Sequence, residues 1–271
     1  MLQNLHTHTS YCDGKDTPRE MIERAIELGF DSLGFSGHAP SFFYNGEEVE
    51  KNHLEYRCEV KKLKEEYKDR IKIFLGIELD RFSEGKVDDF KYDYRIGSVH
   101  HAYIDGYDVA FDRSPEASRK ALVEVFDGDK NAYARAYFET LADMPNHIDA
   151  DIVGHFDVLT KFKEKAPDIL DDESQEYRHL ALETLHALRG SFDFFEVNTG
   201  AMGRGHRHEP YPASFILDEM KSLKCKLLIT SDCHNSRFLD TGFDLARQIV
   251  RAHGFTELYY LTDNGFVAEK I

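Results

Sequence analysis

Tryptophan is absent from this 271-residue sequence and cysteine is scarce: Cys12, Cys58, Cys225 and Cys233 form no CxxC pair and no dense framework. A disulfide scaffold is thereby excluded, and the pattern suits a reducing compartment, so a cytoplasmic location is expected. No apolar stretch approaches the roughly 20 residues of a membrane span. The opening MLQNLHTHTS carries neither a charged n-region nor an apolar h-region, so neither a signal peptide nor a membrane partner is expected. Basic residues are the minority: 34 Lys and Arg face 50 Asp and Glu, a net charge of −16 that disfavours binding to nucleic acid. No Gly/Ser- or Pro-rich linker and no short-period repeat divides the chain, which predicts a single domain over 1–271. That length allows a core that needs no disulfide or metal to fold. What the sequence has in excess is histidine, 14 in all.

Short apolar runs alternate with amphipathic stretches from end to end. Residues 2–6, 32–36, 71–78, 94–99, 151–153, 193–197, 226–230 and 257–261 read as strands. Helical patterns cover 17–28, 52–68, 131–144, 172–188 and 238–252. The first opens on Thr17-Pro18, a cap with proline in the first turn, and closes at Gly29. Alternation repeated seven or eight times predicts parallel strands joined by crossover helices, an α/β fold. A closed or distorted barrel is the expected arrangement, with an open doubly wound sheet as the alternative. Segments 39–50, 102–119 and 199–213 read as long loops after strand ends, where a barrel builds its active site.

The histidines fall at those same ends. His6-Thr7-His8 follows the first apolar residues, and residues i and i+2 of an extended chain project to one side, so both rings can reach one ion. Asp13 follows in a turn. His38, Glu78, His100 and His155 close the next four strands, and Asp232 and His234 close the seventh. Taken singly, each is an ordinary loop histidine, cap or ion-pair partner. Their recurrence at equivalent places predicts that nine metal-competent side chains converge on one rim. Such crowding of buried imidazoles and carboxylates is costly without cations between them, and three divalent ions are a natural solution. Imidazole and carboxylate without thiolate suits Zn²⁺, Mn²⁺ or Fe²⁺ better than Mg²⁺ or Ca²⁺. Cys233, between Asp232 and His234, points the other way by alternation and reads as packing.

The ordered set of motifs resembles the PHP (polymerase and histidinol phosphatase) superfamily, and within it the histidinol-phosphatase branch. The matching stretches are His6-Thr7-His8 with Asp13, Gly37-His38-Ala39-Pro40, Gly76-Ile77-Glu78, Gly97-Ser98-Val99-His100, Gly154-His155-Phe156-Asp157, Glu196-Val197-Asn198-Thr199-Gly200 and Ser231-Asp232-Cys233-His234. The resemblance implies a distorted seven-stranded (β/α) TIM-like barrel with two or three metal ions at its strand ends. It implies one ion on His6, His8, Glu78 and Asp232. A second would share Glu78 and use His100 and His155, and a third would use Asp13, His38 and His234. Many superfamily members have histidine where Asp13 stands; aspartate matches the histidinol-phosphatase branch.

The implied reaction is hydrolysis of a phosphate monoester, L-histidinol phosphate in histidine biosynthesis, by a hydroxide bridging two ions. Asp232 and His234 are the candidates to protonate the departing alkoxide, and no phosphoenzyme is expected. Arg204, in the Gly-rich loop after Asn198, is the leading phosphate ligand because guanidinium engages two phosphate oxygens at once. Arg207, His206 and His208 are reserves in the same loop. The family often has an arginine shortly after the histidine of the GHxD segment; here Lys161 stands in that region as a point charge. Phe42, Phe43, Tyr44, Tyr103, Asp105 and Tyr107 lie on loops that could receive the imidazole and amine of histidinol. Three other readings remain open: a PHP phosphatase of a sugar, nucleotide or tyrosine phosphate, an amidohydrolase-type metal-dependent hydrolase, and a metal-binding module without turnover.

Overall fold

The computed structural model describes residues 1–41, 46–83 and 91–271, with backbone only for 46–52. In chain order the first elements are β1 (Gln3–Asn4), α1 (Pro18–Glu27), β2 (Ser32–Phe35), α2 (Gly46–Glu66), β3 (Lys72–Asp80) and β4 (Tyr94–Ser98). Next come β5 (His101–Ile104), β6 (Tyr107–Ala110), α3 (Pro115–Glu124), α4 (Lys130–Asp143) and β7 (Ile152–Val153). The last are α5 (Gln175–Arg189), β8 (Phe194–Asn198), α6 (Gly200–Gly203), α7 (Ser214–Ser222), β9 (Lys226–Thr230), α8 (Phe243–Ala252), β10 (Glu257–Thr262) and β11 (Gly265–Lys270). Helix α1 shows how local sequence fixes an element: Thr17 and Glu20 form a reciprocal capping box and Pro18 occupies the first turn. No helix among the described residues is long and apolar enough to cross a membrane.

Seven strands form one parallel sheet in the order β1-β2-β3-β4-β7-β8-β9. The sheet curls until its edges nearly meet. Thr7 bridges Cys233, the His8 N–H donates to the Cys233 carbonyl at 3.0 Å, and the Asn4 amide donates to the Ser231 hydroxyl at 2.5 Å. The result is the expected seven-stranded (β/α) barrel. It is distorted at β3, whose first half pairs with β2 and whose second half pairs with β4.

Alternation sorts the side chains. Ile73 and Leu75 of β3 join the large core under the helices, whereas Phe74 joins an interior cluster with Leu5, Tyr94, Ile96, Ile152, Leu228 and Leu261. Gly76 and Glu78 continue the inward face. Gly76 has to be glycine because the ring of Tyr94 lies across it: a Cβ there would sit 2.2 Å from Tyr94 Cζ. Tyr94 donates its hydroxyl hydrogen to the Leu5 carbonyl and fills the barrel directly below Glu78.

Four expectations need correction. The first strand ends at Asn4 rather than residue 6, because Leu5 and His6 both turn into the barrel, which an alternating strand cannot do. The run at 257–261 is not a barrel strand. It is half of the antiparallel hairpin β10–β11, which caps the barrel's N-terminal end through two hydrogen bonds between the Gln3 side chain and the Leu261 backbone. Segment 102–119 is no loop but the hairpin β5–β6, turning at Asp105-Gly106 with positive φ at both residues, followed by α3 on its Ser114 cap. Helix α8 starts at Phe243, not 238, because Gly242 sits at its N-terminus with φ +79°.

Candidate metal centre

The carboxyl ends of the barrel strands bring all nine predicted residues into one cluster. Glu78, 1 % exposed, is its hub. Its two oxygens lie 3.3 Å from His6 Nε2, 3.5 Å from His8 Nε2, 3.0 Å from His38 Nδ1, 3.4 Å from His100 Nε2 and 3.1 Å from His155 Nε2. Asp232 Oδ1 lies 3.3 Å from His8 Nε2 and 3.7 Å from His6 Nε2. Asp13 stands opposite, 2.9 Å from His234 Nε2, 3.3 Å from His8 Nδ1 and 3.7 Å from His38 Nε2.

These spacings test whether metal fits. Ligands bound at about 2.1 Å stand about 3.4 Å apart around a tetrahedral ion and about 3.0 Å apart around an octahedral one. Six of the ten contacts lie between those values and the other four within 0.3 Å of them. His6 Nε2 and His8 Nε2 are buried, lack a hydrogen-bond partner and face carboxylate oxygens, which is costly unless a cation lies between. Among the described residues, three overlapping groups offer donor atoms mutually within 4.8 Å: His6/His8/Asp232, His38/Glu78/His100 and His8/Asp13/His38/His234. The grouping differs in detail from the one the resemblance implies. His38 stands between Glu78 and Asp13 rather than with Asp13 and His234 alone, and His8 faces both Asp232 and Asp13.

The electrostatics point the same way. Burial alone would raise Glu78, but His6, His100 and His38 outweigh it and hold the carboxyl well below the usual carboxylate range. Burial would also keep His6 neutral; Glu196, Glu78 and Asp232 overcome it and raise the ring to about 10. Asp232, likewise buried, is held well below its usual value first by Arg204 and then by His6. The acids of the site therefore demand positive charge among them.

Sequence comparison fits this geometry. The model of the PHP domain matches residues 4–200, from the first strand to the loop after β8. The chain belongs to the PHP domain family. Similar proteins include one named "Probable histidinol-phosphatase" from Schizosaccharomyces pombe, 26 % identical over 93 % of this chain and 87 % of that one. The histidinol-phosphatase of Lactococcus lactis is 26 % identical over 94 % and 91 %. The crystal structure of histidinol phosphate phosphatase from L. lactis, complexed with zinc, L-histidinol and phosphate, superposes with a TM-score of 0.71 at 22 % identity, covering 98 % of each chain. Its likeness shows that the distorted barrel is a PHP fold.

Above the nine residues of this PHP site opens a cavity of about 360 Å³. Its walls include Arg204, Lys161, Asp112, Arg113 and His101. Arg204 donates to Asp232 Oδ2 and to His234 Nδ1, both at 3.1 Å. Lys161 donates to the Asp112 carbonyl at 2.8 Å and to its carboxylate at 3.1 Å. Arg207 is a correction: it is 4 % exposed, turns inward to the Thr160 hydroxyl at 2.5 Å, lies over the Tyr211 ring and does not line the cavity. His206 packs edge-on against Phe162, and His208 pairs with Glu164 at the surface. Tyr103 and Tyr107 are about half exposed on the β5–β6 hairpin, with Asp105 at its turn, outside the lining. Phe42, Phe43 and Tyr44 lie outside the described residues.

The structure adds residues to which the sequence assigned no role. Asp80 accepts from both the backbone N–H and Nδ1 of His100, at 2.9 and 3.1 Å. It lies two residues beyond Glu78 on the same strand face, a signal the sequence carried. Asp112 and Arg113 follow β6 and came to light only with the hairpin. Glu196 lies on the one barrel strand whose end the histidine pattern left empty, and bonds His6 Nδ1 at 2.7 Å.

Proposed function

We propose that this PHP protein is a metal-dependent phosphomonoesterase that hydrolyses L-histidinol phosphate to L-histidinol and phosphate. Two or three divalent transition ions (Zn, Mn or Fe) would be held by His6, His8, Asp13, His38, Glu78, His100, His155, Asp232 and His234. The observation that carries this reading is a polarised cavity. Its floor is the imidazole–carboxylate cage, and its walls carry Arg204, Lys161 and Arg113 in a chain whose net charge is −16. The names of relatives covering nearly the whole chain, and the ligands of the L. lactis structure, supply the substrate.

Divalent ions so held acidify water toward neutrality and neutralise phosphoryl oxygens. The chain's own side chains supply the rest. Arg204, anchored on Asp232 and His234, presents a fixed guanidinium toward the phosphate, and Lys161 adds a second cation across the cavity. As water attacks phosphorus and the ester P–O bond breaks, the departing alkoxide needs a proton. Asp232 and His234, both in the wall beside Arg204, are the residues proposed to move it, with Asp232, held ionised, relaying a proton from water rather than carrying one at rest. Among the described residues that line the cavity there is no serine or cysteine nucleophile.

The test compares kcat/KM on histidinol phosphate, phosphotyrosine and nucleoside monophosphates with metal-reconstituted protein. Histidinol phosphate is expected to be best, and hydrolysis of dipeptides or lactams instead would overturn the reading. Arg204→Ala, losing a charge-assisted contact of about 1.5–3 kcal/mol, is expected to raise KM roughly 10- to 150-fold. An unchanged KM would remove Arg204 from phosphate binding.

A further inference from the structure

Two acidic side chains beside the cage, Asp80 and Glu196, neither line the cavity nor belong to the nine, and Glu196 reaches two of the cage histidines. Glu196 is 1 % exposed, yet both its oxygens are engaged by the cage. Oε1 lies 2.7 Å from His6 Nδ1, while Oε2 accepts from the His155 backbone N–H at 2.9 Å and from the Asn198 amide at 3.0 Å. We infer that Glu196 is a positioning residue that sets the tautomer of His6 and ties the His6 and His155 ends of the metal cage together. This rests on the metal-dependent reading above.

A carboxylate oxygen only accepts, so His6 keeps a proton on Nδ1, and Nε2 is the nitrogen left to exchange its proton for a cation. That Nε2 is buried without a hydrogen-bond partner and points at Glu78 Oε1 and Asp232 Oδ1, which also only accept. The carboxylate behind the ring thus makes its front a metal donor. Glu196 acts differently on His155. Strand β7 is two residues long and its ladder with β8 ends at Val153↔Phe195. The Glu196 side chain takes up the His155 N–H that the ladder no longer reaches. Asn198 completes the unit, holding Glu196 with its amide nitrogen and accepting from the Gly200 N–H at 2.8 Å with its oxygen. Since Gly200 opens α6 and Arg204 caps its end, the same three residues also link the cage to the phosphate-binding arginine.

Glu196→Gln is the discriminating variant. It keeps the shape but sets an NH₂ or a weaker acceptor against His6 Nδ1, favouring the tautomer that blocks Nε2. Zinc affinity, measured by competition with a chromophoric chelator, is expected to fall about 10- to 100-fold. In zinc-loaded wild type the hydrogen-bonded Nδ1–H proton of His6 is expected to be visible by NMR, and in Glu196→Gln it is expected to be lost. KM is expected to change little beside kcat, because Glu196 does not touch the cavity. Should Glu196→Gln fail to fold, Asn198→Ala, which loosens the carboxylate without removing it, is expected to lower zinc affinity by up to about tenfold. Wild-type affinity in whichever variant is folded overturns the inference while leaving the functional reading intact. A wild-type protein that binds none of zinc, manganese or iron overturns the functional reading itself.

Discussion

Glu78→Gln is expected to lower kcat/KM on histidinol phosphate by at least about 10³ and to reduce the metal bound per chain. Among the described residues, Glu78 is the one carboxylate within 3.5 Å of five imidazoles, drawn from four strand ends. The amide keeps the volume but removes the negative charge that those rings, and any cation between them, share. It also places an N–H group among nitrogens that must present lone pairs. A correctly placed metal contributes several kcal/mol of transition-state stabilisation, and about 4 kcal/mol corresponds to roughly a thousandfold in rate. Circular dichroism separates this from unfolding, because Gln fits the same space. A variant retaining activity within about tenfold of wild type, with its metal content unchanged, would remove Glu78 from the centre of the site.

The second large effect lies one layer deeper. Gly76→Ala puts a methyl group 2.2 Å from Tyr94 Cζ and 2.5 and 2.6 Å from the flanking ring carbons. The ring cannot retreat. Its hydroxyl is bound to the Leu5 carbonyl, and the same end of the ring already lies close against Gly34. Overpacking of this kind costs about 1–3 kcal/mol and more where neighbours cannot shift. About 3 kcal/mol is expected here, a fall in Tm of roughly 6–12 °C for a chain of this size. Glu78 sits two residues along the same strand face, so metal affinity is expected to weaken with it. Gly76→Ala/Tyr94→Leu, which removes the ring, is expected to regain part of the lost Tm. A single variant melting within about 2 °C of wild type would contradict the close-packed plug beneath the site.

What was legible in the sequence follows from what a strand does locally. His38, Glu78, His100, His155 and Asp232 each close an apolar run, and the right-handed connection of parallel strands by helices puts all such ends on one rim. That pattern pointed to the nine-residue cluster and an α/β fold, while the seven-stranded barrel, rather than an open doubly wound sheet, came from the family resemblance. The hairpin β5–β6 was equally legible, since Asp105-Gly106 between two β-type runs is a strong hairpin signal, but the segment's polar residues masked it. Other features could not be read locally. Glu196 meets His6 across 190 positions, and Lys161 meets Asp112 across 49. Arg204 and Arg207 share one loop and one chemistry; only the fold shows that the first reaches the cavity while the second is turned inward to Thr160. The hairpin β10–β11 misled for a related reason: 257–261 has the composition of a barrel strand, but its partner, 265–270, alternates too weakly to reveal that the two pair with each other.

The most direct test of the account is the metal content of the purified chain, by elemental analysis before and after dialysis against a chelator, with phosphatase activity followed in parallel. The account predicts two or three transition-metal ions per chain, loss of histidinol phosphate hydrolysis on their removal, and its return when Zn²⁺ or Mn²⁺ is supplied. A chain that hydrolyses the ester at full rate with no bound transition metal would contradict it.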